Sequence, residues 1–538
     1  VPALLALPAP VLLRGVGPGR LLGGPFSEAG RHVWSQAQVI RWLSGDAPFG
    51  VADLIAWPDG RGFWPVSPLL NLIELPFSAV FGLAGGCTAL AAALILLAGL
   101  GPYALSRTLG TGRAGALSAG LAVQLAPFLL TNLGDAILEV YAVGVVCLAG
   151  AGLARWIQTG QRRWLVWAGL GVLATATSSP YFALYLAMVC VFVAGFTWRR
   201  WRRWLAYAGI AGLACGLAVS PYLLTERGKG GRLTETHDQG WTMQPDHLVD
   251  PDSGRQVNRR PNTARGGPGE AGEMRGPPSA LQRELGRWQP GAIASLAVLL
   301  GLAFRRSRPW AALGLFLFLV GPGLPMLCRL TGLPGPTQAP LALLQEQLGL
   351  TLLGNPTRLF VPFILVSAVA LGAMVDTRAW AALLACGLVL AETATVKRGL
   401  ELPSVPLTHE DHVLDAITGP FFVFPTGDPP AWQQDVTFGE SMFLAGLADQ
   451  PVAYDFSTGE EGLDLPGIVT LARAGGVPLG MSLNRRFTEL PEDAFSDFSA
   501  VLILEDRLPP EQRSRLRGWL EEHGTLLAEG DNTSAWKL

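Results

Sequence analysis

Long apolar segments separated by short polar ones dominate this sequence and constrain its fold more than any other feature. Half of the 538 residues are hydrophobic and 15% are charged, against about 25% charged residues in a typical soluble domain. A helix needs about 20 mostly apolar residues to cross a bilayer. The candidate spans are 1–20, 86–105, 115–131, 137–154, 164–178, 180–197, 204–224, 289–304, 309–328, 358–375 and 379–395. The sequence therefore predicts an all-α polytopic membrane domain with about eleven transmembrane helices.

Two apolar segments need separate treatment. Segment 1–20 is interrupted by prolines and lacks a basic start and a small-residue cleavage site, which disfavours a signal peptide. We interpret it as the C-terminal part of a first span, although a GTG start codon written as Val1 would also explain the first residue. Segment 67–84 contains Glu74 and two prolines, and it is predicted to be an interfacial or re-entrant helix.

Arginines cluster in five short loops between the predicted spans. The clusters are Arg107 and Arg113; Arg155, Arg162 and Arg163; Arg199, Arg200, Arg202 and Arg203; Arg305, Arg306 and Arg308; and Arg378. With eleven spans all five loops fall on one side, and the short opposite loops 132–136 and 178–179 contain no Lys or Arg. The bias of basic residues toward the cytoplasm makes the arginine side cytoplasmic.

The opposite, outer side then receives the four large polar segments 21–66, 225–288, 329–357 and 396–538. In the last of these, 420–425 and 500–504 have the pattern of strands, 510–523 that of a helix, and 525–528 that of a short strand. We predict a transmembrane domain over 1–396 and a small extracytoplasmic α/β domain over 397–538, containing a βαβ unit.

The outer segments carry short polar motifs. The first has an acidic residue after the first span, then a His/Trp stretch, a Trp-Pro-Asp-Gly stretch and a Ser-Pro-Leu start to the next apolar segment. These residues are Glu28, His32, Trp34, Trp57–Gly60 and Ser67–Leu69, and later motifs are Asn132–Glu139, Ser179–Tyr181 and Asn355–Arg358. In this pattern the chain resembles bacterial membrane proteins of the C-type glycosyltransferase (GT-C) superfamily over most of its length.

The resemblance implies a reaction and its partners. Such enzymes move a sugar from a polyprenyl-phosphate carrier to an acceptor at the outer face of the bacterial inner membrane. An acidic residue of the first loop acts as base or holds a divalent metal ion such as Mg²⁺ or Mn²⁺. The implied partners are membrane lipids and the lipid-linked sugar, and the net charge of −2 gives no reason to expect nucleic acid.

Three carboxylates are the catalytic candidates. The resemblance assigns Glu28 the first-loop acidic position, with Ser27 where many relatives have a second acid. Asp135 and Glu139 lie four residues apart at an outer helix end, where an ionisable group near the membrane is a functional candidate. Glu28 and Asp135 are also the candidate metal ligands. Alternatively, Ser27 is the N-cap of a helix and Glu28 lies in its first turn, and Asp135 and Glu139 interact with a helix dipole.

Four further residues are candidates for substrate binding. His32 lies four residues after Glu28, on the same helical face, and Arg358 begins a span at the outer side, where a phosphate contact and snorkelling are both open. Tyr181 begins another span, where an interfacial anchor is the alternative. His237 is followed by Asp238 in the long loop 225–288, where a solvated position is the alternative.

Three hypotheses of function follow. The leading one is a membrane glycosyltransferase with a lipid-linked donor. The second is a catalytically silent relative that binds a lipid or an envelope partner, motivated by Ser27 in place of a second acid. The third is a transporter, which predicts inverted repeats and broken helices at mid-membrane; the two halves of the sequence show no such repeat.

Overall fold

The computed structural model describes residues 2–17, 20–23, 29–54, 61–62, 65, 67–134, 136–227, 291–324, 327–328, 340, 359–376, 378–396, 402, 404–406, 411–424, 444–451, 498–505, 508, 510–531 and 533–537. The chain divides into two compact units. The first comprises Val1–Val16, Val66–Leu70 and Ala89–Pro403, and the second comprises Gly17–Pro65, Asn71–Thr88 and Ser404–Leu538. The first outer segment of the sequence thus belongs to the same unit as the C-terminal segment.

Helices build the first unit. In chain order they are α1 (Pro2–Ala6), α2 (Pro8–Leu12), α4 (Pro68–Thr108, which spans both units), α5 (Arg113–Gln124), α6 (Pro127–Gly134), α7 (Leu138–Tyr141), α8 (Val143–Thr159), α9 (Arg162–Ser178), α10 (Pro180–Phe196), α11 (Trp201–Arg227), α12 (Ala292–Gly301), α13 (Arg308–Phe318), α14 (Phe360–Val375) and α15 (Ala379–Val396). A 3-10 turn at Trp198–Arg200 precedes α11, and a π-helical turn at Leu319–Gly323 follows α13. The second unit contributes α3 (Ala29–Ser44).

Each predicted span contains a helix, but the helices are shorter than the span count requires. Within the described residues three are long and apolar enough to cross a membrane, or four if the bent pair α5 and α6 counts as one span. The first span is corrected most: its helices end at Leu12, and Arg20–Leu22 forms strand β1. The break between α1 and α2 falls at Leu7, immediately before Pro8, whose ring lacks a backbone N–H and disfavours a continuous helix.

Glycines allow the helices of the first unit to approach closely. A Cβ atom at Gly144 would lie 2.1 Å from the carbonyl oxygen of Leu97, and one at Gly115 would lie 2.3 Å from that of Gly372. Both neighbours are backbone atoms, which cannot rotate away. Small residues at helix contacts are typical of membrane bundles, where close backbone packing replaces the hydrophobic effect as the driving force.

The five arginine-containing loops lie together at one end of this unit. Gln158 donates a hydrogen bond of 3.2 Å to the carbonyl of Thr108, which joins the first two loops. The guanidinium of Arg203 donates one of 2.5 Å to the carbonyl of Ile157, which joins the second and third. The side chains of Gln158 and Arg203 therefore donate hydrogen bonds to backbone carbonyls at or near helix ends, which lack a partner within the helix.

Asp376 connects the remaining loops. It accepts a hydrogen bond from the backbone N–H of Gly112, and its carboxylate lies 3.6 Å from the guanidinium of Arg306. The first, fourth and fifth loops thus meet at this side chain. This arrangement agrees with the alternation of loops derived from the arginines.

The described residues of the second unit form three small sheets. Strands β1 (Arg20–Leu22) and β4 (Ser404–Pro406) pair antiparallel, as do β2 (Val51–Ala52) and β3 (Arg61–Gly62). The third sheet has four strands in the order β5-β6-β8-β7. They are β5 (Phe421–Phe424), β6 (Ala500–Leu504), β7 (Thr525–Glu529) and β8 (Thr533–Lys537), with helices α16 (Asp411–Asp415) and α17 (Pro510–His523).

The four-stranded sheet contains the predicted strand–helix–strand sequence in altered form. Strands β5 and β6 are parallel, but β8 lies between β6 and β7 and is antiparallel to both. Strands β6 and β7 are therefore parallel strands joined through α17, with one strand inserted between them. The inserted strand, Thr533–Lys537, was not predicted.

The core of the second unit joins the first outer segment to this sheet. Its buried side chains include Trp34 and Ala37 of α3, Leu54 after β2, and the β5 and β6 strands. A Cβ atom at Gly446 would lie 3.4 Å from the Cα of Trp34. The first outer segment is therefore a structural part of this unit.

Candidate functional site

Helix α3 presents a polar face that includes the candidate His32. Side chains three and four positions apart share a helix face, so His32, Ser35 and Gln36 project together. Gln36 is fully buried, and the His32 side chain is 12% exposed. A buried polar face requires polar partners on the element that covers it.

The first part of α4, residues 68–81, supplies those partners. Asn71, Glu74 and Ser78 follow at intervals of three and four residues, again on one face. The Glu74 carboxylate, fully buried, lies 2.7 Å from Nε2 of His32. Asn71 donates a hydrogen bond of 3.0 Å to the amide oxygen of Gln36.

A sharp reversal of α4 closes this site from a third side. Gly82 has φ 71° and ψ 175° within the helix, a conformation that glycine adopts readily. A Cβ atom at Gly86 would lie 2.9 Å from the Cα of Ser78. In a straight helix these residues would be about 12 Å apart, so the chain folds back on itself at Gly82.

The reversal agrees with the prediction of a re-entrant or interfacial helix at 67–84. It also places Ser78, whose hydroxyl lies 3.4 Å from Oε1 of Glu74, against Gly86. Glu74 is consequently surrounded by α3 and by both arms of α4. A buried carboxylate in such surroundings is stable only when paired and hydrogen-bonded, and the partners that the structure describes for it are His32 and the Ser78 hydroxyl.

Arg41 braces the C-terminal end of α3. Its guanidinium lies 2.7 Å from Asp53 and 2.5 Å from Asp449. The hydrogen bond to Asp53 is the main cause that raises the pKa of Arg41, against the opposing effect of burial. The guanidinium therefore stays charged at any working pH, and it ties α3 to β2 and to the segment around Asp449.

The predicted carboxylate Glu139 lies in the first unit. It is partly exposed, in the first turn of α7. Just before it, Ala136 has φ 55°, and its N–H and that of Ile137 donate 2.9 Å hydrogen bonds to Leu133 and Asn132. This is the pattern of a helix C-terminus closed by a left-handed residue, which turns the chain sharply before Glu139.

Of the five other predicted site residues, the structure describes Tyr181. Tyr181 is partly exposed at the start of α10. Glu28, Asp135, Arg358 and His237 lie outside the described residues. His32 and Glu139 belong to different units, and the convergence of Glu28, Asp135 and Glu139 stays a prediction.

Among the described residues, two carboxylates inside helices escaped assignment as site residues from the sequence: Glu74, which is fully buried, and Glu392, which is partly exposed. In the sequence, Glu74 indicates only that segment 67–84 is not a regular span. Glu392, inside the last predicted span, accepts hydrogen bonds from the backbone N–H groups of Ala292 and Ile293 at the start of α12. The signal that could have found both is an ionisable residue within an apolar helix.

A small cavity lies beside Glu392, lined by residues such as Pro127, Ile293 and Ser367. It has room for roughly one water molecule, so it cannot accept a sugar or a phosphate. Across the ranges that the structure describes, no cluster of three His, Cys, Asp or Glu side chains could hold a metal ion. Because Glu28 and Asp135 lie outside those ranges, the predicted metal site stays a prediction.

No family model and no curated protein matches the chain. Several solved structures match the chain. The arabinofuranosyltransferase AftD from Mycobacteria matches with a TM-score of 0.56 at 14% identity, over 100% of this chain and 39% of AftD. The oligosaccharyltransferase of Archaeoglobus fulgidus in its apo form matches with a TM-score of 0.52 at 11% identity, over 93% of this chain and 69% of that one.

These likenesses concern the fold, because the identities are low. This chain spans about two fifths of the AftD chain. Both matched proteins are glycosyltransferases of the C type, and the alignments extend over nearly all of this sequence. The protein therefore has a fold like that of the GT-C glycosyltransferases.

Proposed function

We propose that this protein is a membrane glycosyltransferase that moves a sugar from a polyprenyl-phosphate carrier to an acceptor at the outer face of the membrane. The observation that carries the proposal is the match to AftD over the whole chain, with a TM-score of 0.56. Its support from the sequence is the set of short polar motifs in the outer segments. A transferase with a lipid-borne donor needs its site at the membrane surface, where such segments lie.

The chemistry assigns roles to the candidate residues. Transfer to a hydroxyl requires a base that removes the acceptor proton, for which we propose one of the carboxylates Glu28, Asp135 and Glu139. The carrier phosphate gains negative charge as it leaves, and a cation stabilises that charge. For this we propose His32 and Arg358, with Tyr181 and His237 as further substrate contacts.

A divalent metal ion held by Glu28 and Asp135 would supply the same stabilisation of the phosphate. Carboxylate oxygens are suitable ligands for Mg²⁺ or Mn²⁺. The base and the binding residues keep their roles in either case.

We further propose the bacterial inner membrane as the location, with the arginine loops in the cytoplasm and the C-terminal segment outside. The grouping of the five loops at one end of the first unit supports this orientation. The proposed domains remain a transmembrane part over 1–396 and an outer part over 397–538. Reaction of Arg107→Cys and of Glu522→Cys with a membrane-impermeant thiol reagent, each in a background with the six native cysteines replaced, would test the two sides.

The test of function is a transfer assay with the purified full chain in lipid nanodiscs and a panel of polyprenyl-phosphate sugars. We expect transfer by the wild type and a loss of about a hundredfold or more for Glu28→Gln, as for removal of a general base. Glu522→Gln, an exposed glutamate of α17, is the matched control and should retain full activity.

Full activity of Glu28→Gln would remove Glu28 from the mechanism. The same substitution at Asp135 and Glu139 then identifies the base. A wild-type protein that transfers no sugar from any carrier, with correct folding shown by size-exclusion chromatography, would favour the catalytically silent relative.

A further inference from the structure

The first arm of α4, residues 68–81, has its polar and apolar faces reversed relative to a helix of a soluble protein. The polar side chains Asn71, Glu74 and Ser78 are buried, whereas Leu72 and Val80 are 55% and 72% exposed. A helix on the surface of a soluble protein buries its apolar stripe and exposes its polar one. The exposed apolar face of this arm therefore requires an apolar medium.

The bilayer is the medium that the chain itself indicates. After Gly82 the same element continues as one of the helices that are long and apolar enough to cross a membrane. The apolar face of residues 68–81 is thus continuous along the chain with a predicted span. A helix with one apolar face beside a span lies at the boundary between headgroups and acyl chains.

The polar face of the same arm holds the His32–Glu74 pair at that depth. Nε2 of His32 and Oε2 of Glu74 lie 2.7 Å apart, and the Glu74 carboxylate is fully buried. Among the described residues, the Cys87 thiol of the second arm of α4 also interacts electrostatically with Glu74. The other groups on this face, Asn71 and Ser78, are neutral hydrogen-bonding side chains.

We propose that Glu74 is a positioning residue that holds His32 as an imidazolium at the membrane surface, where His32 binds the phosphate of the lipid-linked donor. The inference rests on the proposed function. A buried carboxylate favours the charged form of a neighbouring imidazole. An imidazolium donates charge-assisted hydrogen bonds to phosphate oxygens, and the apolar face of residues 68–81 sets it at the level where a prenyl phosphate places that group.

Binding of undecaprenyl phosphate to the purified full chain in detergent tests this role apart from catalysis. We expect His32→Gln and Glu74→Gln to raise the dissociation constant by about tenfold or more, as for loss of a charge-assisted hydrogen bond. The matched control is Asn71→Ala, which removes a hydrogen bond of the same helix contact without a change of charge. It should bind within about twofold of the wild type.

A second readout separates positioning from packing. The ¹⁵N chemical shifts of His32 at pH 7, assigned by comparison with His32→Gln, should be those of an imidazolium in the wild type. In Glu74→Gln they should become those of a neutral ring, because the amide offers no negative charge. A purely structural contact would leave the protonation of the ring unchanged.

The outcomes distinguish the two proposals. Equal binding by the wild type, His32→Gln and Glu74→Gln would overturn this inference and leave the proposed function intact. No binding of undecaprenyl phosphate by a folded wild type would overturn both. Equal weakening by Asn71→Ala would show that packing is responsible, and competition by inorganic phosphate at the concentration of the lipid would show a site for free phosphate instead.

Discussion

Substitution of Gly86 by alanine tests the reversal of α4 that encloses Glu74. In this structure the added Cβ would lie 2.9 Å from both the Cα and the backbone nitrogen of Ser78. Carbon atoms in ordinary contact lie at 3.4–4 Å, so the two arms would have to separate by about 0.5 Å. The Ser78 hydroxyl would also have to rotate away, which disturbs its contact with Glu74.

The expected change in the free energy of unfolding of Gly86→Ala follows from two opposing effects. Alanine in a helix is favoured over glycine by about 0.5–1 kcal/mol, whereas overpacking of a close contact costs about 1–3 kcal/mol. Because the obstructing atoms are backbone, we expect the second effect to win and Gly86→Ala to destabilise the protein by about 1–2 kcal/mol.

The assay is thermal denaturation in detergent, followed by size-exclusion chromatography at a fixed heating time because unfolding of such proteins is often irreversible. Gly212→Ala is the matched control: Gly212 lies in α11, and nothing lies within 4 Å of its added Cβ. We expect the control to raise the midpoint and Gly86→Ala to lower it. A rise for both variants would refute the reversal at Gly82.

Three further substitutions test other parts of the structure. Ala136→Gly should raise the thermal midpoint, because a left-handed non-glycine residue costs about 1–2 kcal/mol and the gain is partly offset by the entropy of glycine; an unchanged or lower midpoint would contradict the turn at Ala136. Arg41→Met should lower the stability by about 1–2 kcal/mol and speed tryptic cleavage of the outer segments, with equal cleavage rates arguing against the brace. Glu392→Gln should lower the midpoint modestly, by about 0.3–1 kcal/mol, because its carboxylate accepts the N–H groups at the start of α12; a change above about 3 kcal/mol would indicate a further role.

The sequence predicted the elements better than their connections. Periodicity and apolar length located a helix in each predicted span, and strand patterns located β5, β6 and β7 together with α17. The arginines predicted which loops share a side, because charge at the membrane boundary depends on composition and not on packing. The short strand Thr533–Lys537 was missed, since its residues Thr-Ser-Ala-Trp-Lys have little strand pattern.

The contacts between distant residues could not be derived from the sequence. Strand β1 pairs with β4 from more than 380 residues away, and no local pattern specifies such a partner. His32 was a candidate, but its partner Glu74 is 42 residues away and became significant only through the reversal at Gly82. The residues that the sequence favoured most, Glu28 and Asp135, stay predictions.

The most direct test of the account is a cryo-EM structure of the full chain in nanodiscs with a bound polyprenyl-phosphate analogue. We predict a phosphate in hydrogen-bonding contact with the His32 imidazole, within about 3 Å, Glu74 on the opposite side of the ring, and the exposed face of residues 68–81 against lipid. A phosphate bound away from His32 and from the carboxylates Glu28, Asp135 and Glu139, or residues 68–81 covered by protein, would contradict the account.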